Sequence, residues 1–126
     1  MLWSFILVMT GGALGSGLRF AAGLILPQTP GTIPITTLLI NIGGSFILGV
    51  LSALAARTNL LSHELTLLLG TGLCGGFTTY STYSMELYTL WELDQMWMLL
   101  AYALVSLVGG VLASYWGVSI VTSYSR

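Results

Sequence analysis

The sequence predicts an all-α integral membrane protein of four transmembrane helices, the third of them broken near Gly75-Thr79. Three observations predict it. Of the 126 residues, 56% are hydrophobic and only 6% charged, more apolar surface than a small soluble domain can hide. The apolar residues form four stretches, each long enough for the ~20 residues that a bilayer core of about 30 Å demands of a helix. The third stretch holds Gly72-Leu73-Cys74-Gly75-Gly76-Phe77 and then Thr78-Thr79-Tyr80-Ser81-Thr82-Tyr83-Ser84-Met85-Glu86. Broken backbone survives at membrane depth only where protein buries it or where it lines a wet path.

The first span runs from Trp3 to Leu26. It lacks a positively charged leader and carries Arg19 inside it, so it reads as a retained helix and not a cleaved signal. Pro27-Gln28-Thr29-Pro30-Gly31-Thr32 cannot continue a helix and forms the first connector. The second span covers Ile33 to Ala56, with Pro34 expected in its first turn, where a missing amide proton costs little. Arg57-Thr58-Asn59 leads to the third span, Leu60 to Trp91. Glu92-Leu93-Asp94-Gln95 leads to the fourth, Met96 to Val121. Residues 1–126 then make a single four-helix transmembrane domain, with no room for a second.

With four spans, the amino terminus, the second connector and the carboxyl terminus share one side, which carries Arg57 and Arg126. The other side has no Lys or Arg unless Arg19, which lies toward it, is counted. Orientation follows the Lys/Arg bias of short loops, and a bias of two against zero or one specifies it weakly. Insertion in both orientations, with pairing as an antiparallel dimer, is compatible with this. Small residues four apart let membrane helices approach closely. Such seams occur at Gly11/Gly15 and Gly12/Ser16, at Ser45/Gly49, at Ser106/Gly110 and at Gly109/Ala113/Gly117. They favour a compact, oligomeric bundle.

Polar groups at membrane depth are functional candidates by default. Asn41 lies a third of the way into the second span and can donate two hydrogen bonds and accept two; it is either interhelical glue or a donor aimed at an anion. Arg19 either snorkels to the interface or makes a pore mouth positive. Thr79, Thr82 and Glu86 form an i, i+3, i+7 stripe if their segment is helical. Tyr80 and Tyr83 neighbour each other on one face, and their ring edges carry partial positive charge. Together with the hydroxyls they offer donors without basic charge, suited to a small hydrated anion. Unwound carbonyls at the break suit an alkali cation instead.

Other classes fit less well. Cys74 is the only cysteine and His63 the only histidine, which excludes an intrachain disulfide and makes a poor metal site. Net charge is −1 with scattered basic residues, giving no footprint for nucleic acid. No Walker-type glycine loop is present, and an enzyme is not expected.

Gly11-Gly12-Ala13-Leu14-Gly15-Ser16-Gly17-Leu18-Arg19-Phe20, Thr37-Leu38-Leu39-Ile40-Asn41-Ile42-Gly43-Gly44-Ser45-Phe46 and the run from Gly72 to Glu86 resemble the three signature segments of the Fluc (CrcB) fluoride channels, in order and spacing. The resemblance spans essentially the whole chain. It implies an antiparallel, dual-topology homodimer of four-helix subunits in the bacterial inner membrane, passively exporting fluoride through two pores. It further implies that Asn41, Ser81 and Thr82 line the pore with Tyr80, Tyr83 and Glu86. Tyr102 and Ser106 extend the polar track, Arg19 draws anions to the vestibule, and carbonyls of Gly75 and Thr78 from both chains hold a central Na+. The family has phenylalanine at the positions of Tyr80 and Tyr83. The added hydroxyls leave three consequences open: a tighter hold on the ion, a different ring orientation, or a narrower pore.

Fluoride export by a passive leak follows from acid–base chemistry. Neutral hydrogen fluoride crosses membranes and dissociates in the less acidic cytoplasm, where the anion accumulates. The rival class is a small four-helix proton-coupled cation or drug antiporter. Its membrane carboxylate is expected in the first helix, where this chain has Arg19, whereas Glu86 lies in the third. A structural subunit of a larger complex would leave the hydroxyl run unexplained.

Overall fold

The computed structural model describes residues 1–57 and 60–124. Thr58 and Asn59 of the second connector, and Arg126, on which the charge bias partly rests, lie outside the described residues. Among the described residues every regular element is helical and there is no strand: α1 (Leu2–Ile25), α2 (Ile35–Arg57), α3 (His63–Leu65), a π-helical run (Thr66–Cys74), α4 (Gly75–Phe77), α5 (Tyr80–Glu92) and α6 (Met96–Tyr124). Three of these, α1, α2 and α6, are long and apolar enough to cross a membrane. The protein is therefore a multi-pass membrane protein. The expected third span is divided among α3, the π run, α4 and α5, and none of these pieces alone is long enough.

Local chemistry sets the element ends. Pro34 is not in the first turn of α2, as expected from the sequence, but one position before it. Its carbonyl accepts the first helical bond, from Leu38 N–H at 3.1 Å, and proline has no N–H that the cap would need. Ser62 caps α3 by accepting from Leu65 N–H at 3.2 Å. Trp3 Nε1 donates to Glu64 Oε1 at 2.8 Å and ties the start of α1 to that of α3. After α5, Asp94 takes a left-handed conformation with φ 55°. Gln95 N–H reaches Leu90 O at 2.9 Å and Asp94 N–H reaches Trp91 O at 3.0 Å, the bond pattern that closes a helix C-terminus tightly.

Two packed pairs organise the molecule: α1 against residues 66–77, and α2 against α6. Both use the small-residue seams. Gly11 lies against the Leu68 carbonyl and Gly72, Gly15 against the Leu73 carbonyl, and Gly76 against Gly12. In the other pair, Gly49 lies against the Ser114 carbonyl and Gly117 against the Phe46 carbonyl, while the Ser114 hydroxyl donates to Ser45 O at 3.3 Å. Ser16 is outside its expected seam; it is exposed and donates to Ala13 O within its own helix at 3.1 Å.

The helix break falls at Thr78 and Thr79, inside the expected window. Both are extended, with φ −73°, ψ 157° and φ −149°, ψ 122°. The glycines before them stay helical. Their lack of side chains serves the approach to α1, where a Cβ on Gly72 would stand 2.9 Å from Gly11 Cα and from the Val8 carbonyl.

Candidate functional site

Asn41 on α2 holds the break open. Its Oδ1 accepts from Thr79 N–H at 2.8 Å and its Nδ2 donates to Thr79 O at 3.0 Å. The amide thus stands in for the helical partners that an extended residue lacks, and one N–H is left over by count. Thr79 also caps α5: its Oγ1 accepts from Thr82 N–H at 3.2 Å and donates to Thr82 Oγ1 at 3.0 Å. Because Thr79 N–H goes to Asn41, the Gly75 carbonyl does not receive the bond that a continuous helix would supply.

Three clefts follow one another around this pivot. The first, of about 340 Å³, is lined by Asn41, Thr78, Thr79, Tyr80, Tyr83 and Ser106 among others. The second, of about 440 Å³, has Arg19, Gln28, Thr37, Thr79 and Thr82 in its wall. The third, of about 230 Å³, is bounded by Gln28, the Pro30–Thr32 turn, Glu86 and Thr89. Thr79 is shared by the first and second, and Gln28 by the second and third.

The first cleft contains no basic residue among those that line it. Ser106 Oγ is buried and has no hydrogen-bond partner, an arrangement that costs free energy unless a ligand or water completes it. Tyr83 and Tyr102 meet edge to face at 5.2 Å and 62°, and Tyr80 and Tyr83 lie 6.1 Å apart at 49°. The Tyr83 hydroxyl points to α6, donating to Ala103 O over a long 3.4 Å. Tyr80 is 80% exposed.

Glu86 is the centre of a second network. Its Oε1 accepts from Thr37 Oγ1 at 2.7 Å and its Oε2 from the Tyr102 hydroxyl at 2.6 Å. Thr37 in turn accepts from Gln28 Nε2 at 3.0 Å. Thr37 and Tyr102 are almost fully buried, at 3% and 1% exposure. The arrangement offers an anion donors from amide, hydroxyl and ring edge, with Arg19 in the neighbouring cleft as the nearby positive charge.

The structure brings Asn41, Tyr80, Tyr83 and Ser106 to one cleft and Arg19 and Thr82 to the next, and couples Glu86 to Tyr102 at the third. Ser81 lines none of them; it is exposed, with its Oγ 3.4 Å from Thr79 Oγ1. The stripe from Thr79 through Thr82 to Glu86 forms as the sequence suggests, with Thr79 as cap just outside the helix. Thr37 and Gln28 were missed. In the sequence Thr37 reads as an ordinary helix residue and Gln28 as a turn residue between prolines, and only the bonds from Gln28 to Thr37 and from Thr37 to Glu86 bring them to the site.

Comparison with known proteins adds a consistent finding. The family model described as CrcB-like protein, Camphor Resistance (CrcB), matches residues 6–118. The chain is 40% identical over 117 residues, 93% of its length and 91% of the relative's, to a protein of Chlorobium phaeobacteroides (strain BS1) named fluoride-specific ion channel FluC. It is 45% identical over 114 residues, 90% and 88% of the two chains, to a protein of the same name from Chlorobium phaeobacteroides (strain DSM 266 / SMG 266 / 2430). A third of that name, from Chlorobium luteolum, is 43% identical over 116 residues, 91% and 89% of the two chains.

Proposed function

The chain belongs to the CrcB-like family, and from that premise we propose that it is a passive, fluoride-selective ion channel that releases cytoplasmic fluoride down its electrochemical gradient. The observation that carries this reading is the unpartnered, buried Ser106 hydroxyl in a cleft lined by Asn41, Tyr80 and Tyr83. Such a site offers donors to a small anion and holds no fixed charge to trap it. The relatives are named as ion channels, so a transport protein and not an enzyme is the natural reading, and the antiporter alternative is left without support. In this reading Asn41, Tyr80, Ser81, Thr82, Tyr83, Glu86, Tyr102 and Ser106 line the path and Arg19 attracts the ion to its mouth.

The working assembly is an antiparallel, dual-topology homodimer with two pores in a bacterial inner membrane, each subunit a single four-helix domain. Two observations support it. Tyr80, Ser81, Thr82 and Gly75 are exposed on the monomer at a depth where lipid is a poor partner for hydroxyls and open backbone. The Gly75 carbonyl lacks its helical partner, and nothing lies within 4 Å of where a Gly75 side chain would begin. The carbonyls of Gly75 and Thr78 from two copies fit an alkali cation, and Na+ there would neutralise oxygens brought together at the interface.

The test is efflux from potassium fluoride-loaded proteoliposomes of the purified chain, started with valinomycin and read with a fluoride electrode, with a chloride assay in parallel. Fluoride efflux without chloride efflux is the expected result. Silence from correctly folded protein, or equal rates for both halides, would overturn the reading.

A further inference from the structure

We infer that Gln28, in the connector between α1 and α2, is a positioning residue for the ion path, its amide N–H covering the oxygen of the Thr37 hydroxyl whose proton is given to Glu86. The inference rests on the fluoride-channel reading and concerns a residue outside the motifs that led to it.

The connector that carries Gln28 is tied down. Thr36 Oγ1 donates to the Leu26 carbonyl. Thr32 N–H and Oγ1 both donate to the Thr29 carbonyl, at 3.2 and 2.7 Å. Gly31 turns the chain with φ 80°, a conformation open to glycine, with the Leu93 side chain close by. Gln28 is thereby presented to α2 by a braced turn.

The donor logic is then forced. Gln28 Nε2 can only donate, and it occupies the Thr37 oxygen at 3.0 Å. Thr37 has one proton, and it goes to Glu86 Oε1 at 2.7 Å while Tyr102 serves Oε2 at 2.6 Å. Without an N–H at position 28 the Thr37 oxygen would lose its donor, while its proton stayed with the Glu86 carboxylate, which only accepts. Thr37 is only 3% exposed, so water cannot readily replace the lost donor.

The location makes this matter for an anion. Gln28 lines both the Arg19 cleft and the Glu86 cleft, as Thr79 lines both the Asn41 cleft and the Arg19 cleft. A side-chain amide stands at each boundary: Asn41 bonded to Thr79, and Gln28 bonded to Thr37. An ion moving between the Arg19 and Glu86 clefts meets Thr37 with its lone pair covered by an N–H, so the boundary does not repel it.

Fluoride efflux from proteoliposomes tests this with Gln28→Met, which keeps length and bulk without a donor, Gln28→Ala, Thr37→Val and the double variant Gln28→Met/Thr37→Val, with thermal unfolding in detergent measured alongside. Gln28→Met and Gln28→Ala are expected to lower efflux about fivefold, the factor that one net hydrogen bond corresponds to, with little change in the unfolding midpoint. The double variant should be no slower than Thr37→Val alone, because Gln28 acts through Thr37. Wild-type efflux in Gln28→Met, an effect confined to Gln28→Ala, or losses that multiply in the double variant would each overturn the inference while leaving the channel reading standing. A wild-type chain that carries no fluoride would overturn the channel reading and this inference together.

Discussion

The two halves of the third expected span do different work with different parts of the chain. Residues 66–77 meet α1 through main chain, Gly72 and Gly76 letting backbones touch at Gly11 and Gly12, and the side-chain bond from Trp3 to Glu64 lies outside this contact, before the π-helical run. The second half, Tyr80–Glu92, meets α2 and α6 through side chains, with Glu86 held by Thr37 and Tyr102. Asn41 stands at the joint and bonds both polar groups of the Thr79 backbone. In lipid, helices gain from close packing and from interhelical hydrogen bonds, and this span separates the two: one half packs closely, the other makes the side-chain hydrogen bonds.

That comparison can be broken at graded cost. Gly72→Val should have the largest effect. Its Cβ would stand 2.9 Å from Gly11 Cα and the Val8 carbonyl, both backbone atoms that cannot step aside. Overpacking costs about 1–3 kcal/mol where side chains can shift and more where, as here, backbone atoms block the added carbons, and the expected result is loss of the monodisperse peak on size exclusion in detergent. A well-folded variant would show that the first half is not an anchor.

Asn41→Leu comes next. It strips Thr79 N–H and C=O of their partner, at about 1–3 kcal/mol for each unsatisfied group. A clear drop in thermal midpoint together with loss of fluoride efflux is expected; an unchanged midpoint would mean that the break supports itself.

Tyr102→Phe keeps the ring against Tyr83 and removes only the bond to Glu86, worth about 1.5–3 kcal/mol if the carboxylate is charged. Efflux should fall while the fold persists, which circular dichroism and efflux on the same preparation would show.

Ser106→Ala sharpens the comparison from the opposite side. Its hydroxyl has no partner to lose, and burying such a group costs about 1–3 kcal/mol, so stability should hold or rise while efflux falls. A fall in both would make Ser106 a packing residue.

The smallest change is expected from Tyr83→Phe. The bond to Ala103 O is long, at 3.4 Å, and bonds weaken as they lengthen, so efflux within about twofold of wild type is expected. A large gain would mean that the hydroxyl obstructs the path.

How much of this could be read from the chain depends on distance along it. The Gly11/Gly15 and Gly109/Gly117 seams need only a helical period; Gly11, Gly15 and Gly117 meet the backbone of a neighbouring helix, and Gly109 meets the Ile42 side chain. The stripe of Thr79, Thr82 and Glu86 is equally local. The Asn41–Thr79 pair joins residues 38 apart and the Thr37–Glu86 pair residues 49 apart; no periodicity says which faces of two helices meet. Gln28 is further from legibility, because its role depends on how a turn folds back over α2.

By itself the sequence determined the membrane setting, the four apolar stretches, the place of the break to within a few residues and the polar types gathered around it. These follow from transfer of apolar surface into lipid and from the rarity of polar groups there, both properties of residues and short segments. Only the tertiary structure decided that the glycines before the break remain helical and are used for contact with α1, that Asn41 holds the extended Thr79, and that Glu86 is shared by Thr37 and Tyr102. Each depends on the rotation and depth of one helix relative to another. The packing of the whole bundle sets those, and a hydrogen bond that works at 2.7 Å is lost when a helix turns by one residue.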